Sequence, residues 1–268
     1  MPSWICPNCE EPLALDSRVW SCANNHAFDC AKEGYVNLLP AHRKRSKEPG
    51  DNPEMVLARR RIHDAGLYTP LANELTRVIS TLPAIRTLLD IGCGEGFYTG
   101  LFAQQLPDVS MSGVDIAKSA VRLAARKYAS HHYAVASSTN LPVATLIQDL
   151  VTQIFAPCSD DEVMRVLRAG GYYLQVGPAP QHLWQLREAL YDEPTAHEPL
   201  RLACPGFLLV DQGDLSYQQL LANDQLRDLI MATPFSYRGH REKRALLLEC
   251  NDVTTTFAFD WRLFQKNG

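Results

Sequence analysis

The chain has no run approaching the roughly 18 consecutive apolar residues that a membrane helix requires. Residues 1–10 also lack the cationic stretch followed by an apolar one that marks a secretory leader. A cytoplasmic protein with no membrane partner is therefore expected. Disulfides are disfavoured in that compartment, so the eight cysteines call for metal binding, redox chemistry or burial. Excess charge of either sign is missing as well: 26 Lys and Arg face 30 Asp and Glu, a net charge of −4. With 268 residues the chain can form one large core plus a small appendage, but not two full-size domains.

What is present begins with "CPNCEEPLALDSRVWSCANNHAFDC", Cys6 to Cys30, which gathers four cysteines and a histidine. Cys6 and Cys9 make a Cys-x2-Cys hook, and Cys22 with His26 makes a second hook at x3. Two short hooks joined by a hairpin supply the four N/S donors of a closed, tetrahedral, structural zinc site. Cys30 lies eight residues beyond Cys22, too far to close the same hook, and is read as a bystander. The redox reading is weaker, because a thioredoxin-type Cys-x-x-Cys opens a helix in a βαβ context that is absent here. Trp4, Leu13, Leu15, Val19, Trp20 and Phe28 are too few to fold such a segment alone, so metal binding has to supply folding energy.

Between Ala41 and His63 seven Lys or Arg stand against three Asp or Glu, a local charge of +4 that leaves −8 for the remainder. The segment is a candidate phosphate-binding strip, with a solvated linker as the plainer alternative. Asn52-Pro53-Glu54 signals a helix start and Gly66 its stop, and Thr69-Pro70 starts another helix. Its Leu71, Leu75, Val78, Ile79 and Leu82 share one face, which is expected to pack on the core.

"RTLLDIGCGEGFYTG" then runs an apolar strand into Gly92-x-Gly94-x-Gly96 and a helix. Glycines let a cofactor approach the backbone, and the helix start offers unpaired N–H groups. A second strand ends in Asp115, nineteen residues after Gly96, where a carboxylate can accept ribose hydroxyls. Up to this point a dinucleotide and S-adenosylmethionine fit equally well. The Gly-x-Gly-x-Gly spacing with Asp90 before it resembles the class I methyltransferase loop, whereas Gly-x-Gly-x-x-Gly would suit a pyrophosphate. "AVASSTNLPV" reads as the third strand, "DLVTQIFAPC" as the fourth strand with its loop, and "VLRAGGYYLQVGP" as helix, Gly-Gly and strand.

In this order, the two hooks, "AKEGYVNLLP", "KRSKEPGDNPEM", "LDIGCGEGFYT", "IFAPC" and "GPAPQHL" resemble the RlmA-type 23S rRNA guanine-N1-methyltransferases, across residues 4–190. The resemblance implies a Rossmann-like, seven-stranded, mostly parallel α/β sheet with a small N-terminal zinc domain. The expected division is residues 1–40 for zinc and RNA recognition, 41–66 for a basic linker and helix, and 67–268 for the methyltransferase. It implies methyl transfer from S-adenosylmethionine to guanine N1, structural zinc on Cys6, Cys9, Cys22 and His26, and a 23S rRNA hairpin as partner. A homodimer is a candidate assembly.

For the cofactor the resemblance points to Tyr68, Tyr98, Thr99 and His182, with Gly92, Gly94 and Asp115 in the common frame. Two departures from the wider superfamily stand out. Ser137 occupies the place of an adenine-binding acid, and "LPVATLIQD" replaces a more polar turn, an expected handicap for cofactor binding. No general base is identified, His182 and Asp160 being the guesses; Phe155, Tyr68 or another aromatic is expected to hold the face of the target base, with the loop Phe155–Cys158 as the wall facing it. Cys158 is not needed as a nucleophile. The alternatives are a zinc-containing methyltransferase acting on a small molecule or protein, and a non-catalytic RNA-binding homologue. After residue 192 a strand, helices and the closing strand "VTTTFAFDWRLF" are expected, and residues 238–244 offer a second basic patch, with solvated helix charge the plainer reading.

Overall fold

The computed structural model describes residues 4–268 except 44–45, 47–48, 84, 238–239 and 251, and the side chain of Arg43 is likewise outside the description. The basic residues Lys44, Arg45, Lys47 and Arg238 therefore lie outside the described residues. Strands β1 (Ala14–Asp16), β2 (Val19–Ser21) and β3 (Ala27–Asp29) form a small antiparallel sheet, and β4 (Val36–Asn37) follows. Helices α1 (Pro53–Asp64) and α2 (Thr69–Ser80) lead into β5 (Thr87–Ile91), α3 (Phe97–Gln105), β6 (Ser110–Asp115), α4 (Lys118–Lys127) and β7 (His132–Val135). The second half runs β8 (Gln148–Ile154), α5 (Asp160–Val166), β9 (Leu167–Pro178), α6 (Trp184–Leu190), β10 (Phe207–Leu221), α7 (Asn223–Met231), α8 (Arg241–Glu249) and β11 (Val253–Lys266).

The large sheet has the order β10-β11-β9-β8-β5-β6-β7-β4. Strands β9, β8, β5, β6, β7 and β4 are parallel, while β11 is antiparallel to both of its neighbours. Because β5 lies between β8 and β6, chain order reverses there, and a crevice opens at the carboxyl ends of the strands. Leu88, Leu89 and Ile91 of β5 are fully buried, as a strand covered on both faces requires. Helix α2 buries Leu71, Leu75, Val78 and Ile79, each worth about 1.5–3 kcal/mol in removed apolar surface. Helix α1 starts as its sequence predicts, the Asn52 side chain accepting from the Met55 N–H at 2.9 Å.

Three expectations need correction. The sheet has eight strands rather than seven, because β4 from the cysteine-rich segment pairs with β7 through Val36↔Ala134 and Asn37↔Val135. The third core strand is His132–Val135, which takes only Ala134 and Val135 of "AVASSTNLPV", while its polar Ser137–Asn140 form a turn. Gly170 and Gly171 sit inside β9 instead of ahead of it, Gly170 at φ 71° next to a register shift against β8. Helix α6 begins at Trp184, so His182 lies in the turn before it.

The cysteine-rich segment is not a free appendage. Trp4 bridges to Val143, and the Ile5 N–H donates to the Pro142 carbonyl at 2.9 Å. Trp4, Leu13, Trp20, Val36 and Leu38 share one buried cluster with Leu89, Ile91, Val114 and Val151 of the sheet. Among the described arginines of the basic strip, Arg59 pairs with Asp51, Arg60 with Asp64 and Arg61 with Asp228. Each of the three arginines of helix α1 thus has an acid of the chain as partner, with Arg61 still more than half exposed. Chelation of the metal should expose Trp4 and Trp20, shift tryptophan emission to the red and lower Tm by about 4 °C or more while the α/β core stays folded. Emission that does not move would show that the metal does not hold this segment.

Candidate functional site

The first site is the cluster of Cys6, Cys9, Cys22 and His26, whose donor atoms all lie within 4.8 Å of one another. Cys9 Sγ and Cys22 Sγ are 3.7 Å apart, and His26 Nδ1 lies 3.5, 3.4 and 3.5 Å from the sulfurs of Cys6, Cys9 and Cys22. A tetrahedral zinc with its usual bond lengths requires edges of about 3.8 Å between sulfurs and about 3.6 Å between sulfur and nitrogen. The donors match that frame, and no ligand position is left for water. Cys30 is not in the set; its backbone instead bridges to Val36.

The second site is a cavity of about 1790 Å³ at the carboxyl ends of the parallel strands. It is lined from β5 by Gly92 and Gly94, from β6 by Asp115, from the turn after β7 by Ser137, from β8 by Phe155 and from the segment after β9 by His182. The glycine turn is left-handed at Gly92 (φ 72°), Gly94 (φ 56°) and Gly96 (φ 84°). A Cβ on Gly92 would stand 2.2 Å from that of Ala156, whereas one on Gly94 would meet nothing within 4 Å. Gly92 therefore lets two loops close together, and Gly94 keeps the cavity floor bare.

Carboxylates hold this turn in place. Asp115 accepts from the Gly94 N–H at 2.9 Å and from the Ala117 N–H at 2.7 Å, while burial pushes its carboxyl above the usual range. Asp90, 2% exposed, accepts from Thr99 Oγ1 at 2.6 Å and from Thr152 Oγ1 at 2.9 Å. Burial raises its carboxyl to about 6 against those two bonds. Thr99 is fully buried behind the turn and does not line the cavity, so it acts on the site through Asp90.

Tyr68 and Tyr98 line the cavity, and the Tyr98 hydroxyl is buried with no hydrogen-bond partner. Tyr68 stands edge-on to His63 (5.3 Å) and to Phe155 (6.2 Å). Phe155 is 42% exposed and left-handed at φ 55°, a strained position of the kind that collects at functional sites. His182 Nδ1 accepts from the Ala258 N–H at 3.2 Å, which assigns the ring proton to Nε2. Burial, with His197 and Arg187 adding to it, pushes His182 down to about 3, so it is neutral and a donor rather than a base. Asp160 is engaged by Arg201 and does not line the cavity, so neither guess supplies a general base.

Several lining residues escaped the sequence reading. His63 Nδ1 sits 2.6 Å from Glu95 Oε1, and the ring stacks on Phe97 at 4.2 Å. Burial opposes the Glu95 charge, but His63 and Arg59 hold its carboxyl below the ordinary value. The acid between the glycines was a visible signal; its partner, 32 residues upstream, was not. Residues 141–149, whose departure from the common pattern was the expected handicap, line no part of the cavity. Leu141 and Val143 instead pack in the cluster shared with Trp4.

Known proteins resemble both the cysteine-rich segment and the α/β core. Residues 4–47 match the family described as "RlmA, N-terminal", and residues 88–171 match a methyltransferase domain family. The chain is 35% identical over 248 residues, 90% of its length and 88% of the relative's, to a Streptomyces fradiae protein named 23S rRNA (guanine(748)-N(1))-methyltransferase. The chain belongs to the 23S rRNA guanine-N1-methyltransferase family. It is also 31% identical, over 71% of this chain and 70% of the relative, to a Micromonospora griseorubida protein described as a 23S rRNA (guanine-N(1)-)-methyltransferase. A Bacillus subtilis protein described in the same terms is 27% identical over 95% of this chain and 94% of its own.

With the family shown, the cofactors are S-adenosylmethionine and structural zinc. The bare floor at Gly94 and the orphaned Tyr98 hydroxyl fit a polar ligand seated over the glycine turn. Among the described residues no helix is long and apolar enough to cross a membrane.

Gly94→Ala should lower cofactor affinity more than tenfold by calorimetry while costing only about 1–2 kcal/mol of stability. Gly92→Ala should be the more destabilising of the two, because its Cβ meets Ala156. For Asp90, the unfolded chain gives up its proton near the ordinary carboxyl value of 3.8 and the folded chain only near 6. The stability this contributes is complete below about pH 4 and lost as pH rises through 6. Asp90→Asn should therefore gain on the wild type by about 1–3 kcal/mol between pH 4 and 7, measured by denaturant unfolding at both pH values.

Proposed function

We propose that the protein transfers a methyl group from S-adenosylmethionine to N1 of a guanine in a 23S rRNA hairpin, at the position corresponding to guanine 748 in the name of the Streptomyces relative. The observation that carries this reading is the joining of the zinc segment to the cavity rim. Trp4 bridges to Val143, three residues from the cavity-lining Asn140, so an RNA held by residues 1–40 would be held beside the cofactor. Residues 67–268 would carry the transfer.

Bound S-adenosylmethionine supplies a methyl already activated on a sulfonium. The chain's own task is positioning and desolvation. Gly94 would leave backbone space for the cofactor while Gly92 lets the flanking loops close, Asp115 would hold its ribose, and Tyr68, Tyr98 and His182 would close around it, with Thr99 fixing the turn through Asp90. Phe155, exposed at the rim, gives a flipped guanine a ring to stack on. The N1 proton goes neither to Asp160, which does not line the cavity, nor to the neutral His182.

Incubation with labelled cofactor and 23S rRNA lacking the modification should label one guanine at N1, mapped by primer-extension arrest. Labelling of another guanine would correct the position, and no labelled guanine would overturn the reaction.

A further inference from the structure

The cavity's far rim holds a cation with no counter-charge. Arg187, on α6, donates to the Thr195 carbonyl and to the ring of His197, and its guanidinium lies over Phe235, 5.9 Å from the ring centroid. No carboxylate among the described residues forms an ion pair with it, and its buried Nε–H has no acceptor. The acids nearby are spoken for or turned to solvent. Asp192 pairs with His240 and Lys243, while Glu193 and Glu198 are exposed on the rim. Around Arg187 stand His197 and, 6.1 Å further ring to ring, His182, both held neutral: burial, with Arg187 adding to it, pushes His197 down to about 4.

Taking a guanidinium partly out of water without an acid is unfavourable, and burial lowers its proton affinity accordingly. The arrangement is stable on its own only through the carbonyl, the imidazole and the aromatic face. An incoming oxyanion would supply the missing charge, and a fixed planar guanidinium matches phosphate geometry better than a mobile ammonium does.

We propose that Arg187, braced by His197 and Phe235, binds a backbone phosphate of the RNA next to the target guanine. The proposal rests on the rRNA reading above and gives the cavity a positioning residue for the strand that carries the base. It also places phosphate recognition on the cavity rim, on a different element from the zinc segment.

The test compares wild type, Arg187→Gln and Arg187→Lys in binding an rRNA hairpin fragment across salt concentrations, with cofactor affinity measured by calorimetry on the same preparations. Loss of one phosphate contact should reduce the slope of log K against log salt by about 0.7 to 0.9 in Arg187→Gln. Arg187→Lys should keep the slope, and cofactor affinity should stay within about twofold of wild type in both, since phosphate contacts set the salt dependence. An unchanged slope in Arg187→Gln, or a loss confined to cofactor affinity, would overturn the assignment; the latter would give the arginine to the cofactor's carboxylate. Should Arg187→Gln fail to fold, the wild-type protein is tested with hairpins carrying single uncharged methylphosphonate linkages. One linkage beside the target guanine should weaken binding, and no effect at any of them would equally overturn the proposal. Binding is read without turnover, so a wild type that binds with this slope but labels no guanine would count against the reaction alone.

Discussion

The geometry of the cavity depends on one buried carboxylate. Asp90 joins β5 to α3 through Thr99 and to β8 through Thr152, and so sets the strand that enters the glycine turn, the helix that leaves it and the neighbouring strand that carries Phe155. Its burial is costly, as its raised proton affinity shows. The two hydroxyl bonds offset that cost only where both threonines stay in register. A small shift of α3 would release Thr99 and leave the charge with a single partner, which makes the turn resist deformation more than its three glycines would by themselves.

The zinc set and the glycine turn could be read from the chain because each is local. Cys-x2-Cys and Cys-x3-His fix their geometry within a few residues, and Gly-x-Gly-x-Gly does the same for the turn that follows a strand. Helices α1 and α2 were legible for a similar reason, their starts being written in Asn52-Pro53 and Thr69-Pro70. What escaped was set by distant partners. Val36 and Asn37 are too short a run to announce a strand, and they become one only because β7 offers a free edge about a hundred residues later. His63 and Glu95 each looked ordinary until the fold brought them together in a buried pair.

Charge shows the same contrast. The run from Ala41 to His63 is basic by count, yet its three described helix arginines are consumed by Asp51, Asp64 and Asp228. Arg187, one cation in an unremarkable helix, lines the cavity and forms no ion pair with a described acid. Counting charges along a chain measures supply, and only the fold shows which of them have been neutralised.

The pairing of β4 with β7 has a consequence for the protein's life in the cell. Strand β7 would otherwise form the open edge of a large parallel sheet, a row of unpaired N–H and C=O groups able to recruit another chain. Two residues, tethered through Cys30 and Val36 to the metal-bound segment, cover it. Loss of the metal-bound segment would therefore bare Ala134 and Val135 of β7 for pairing with another chain.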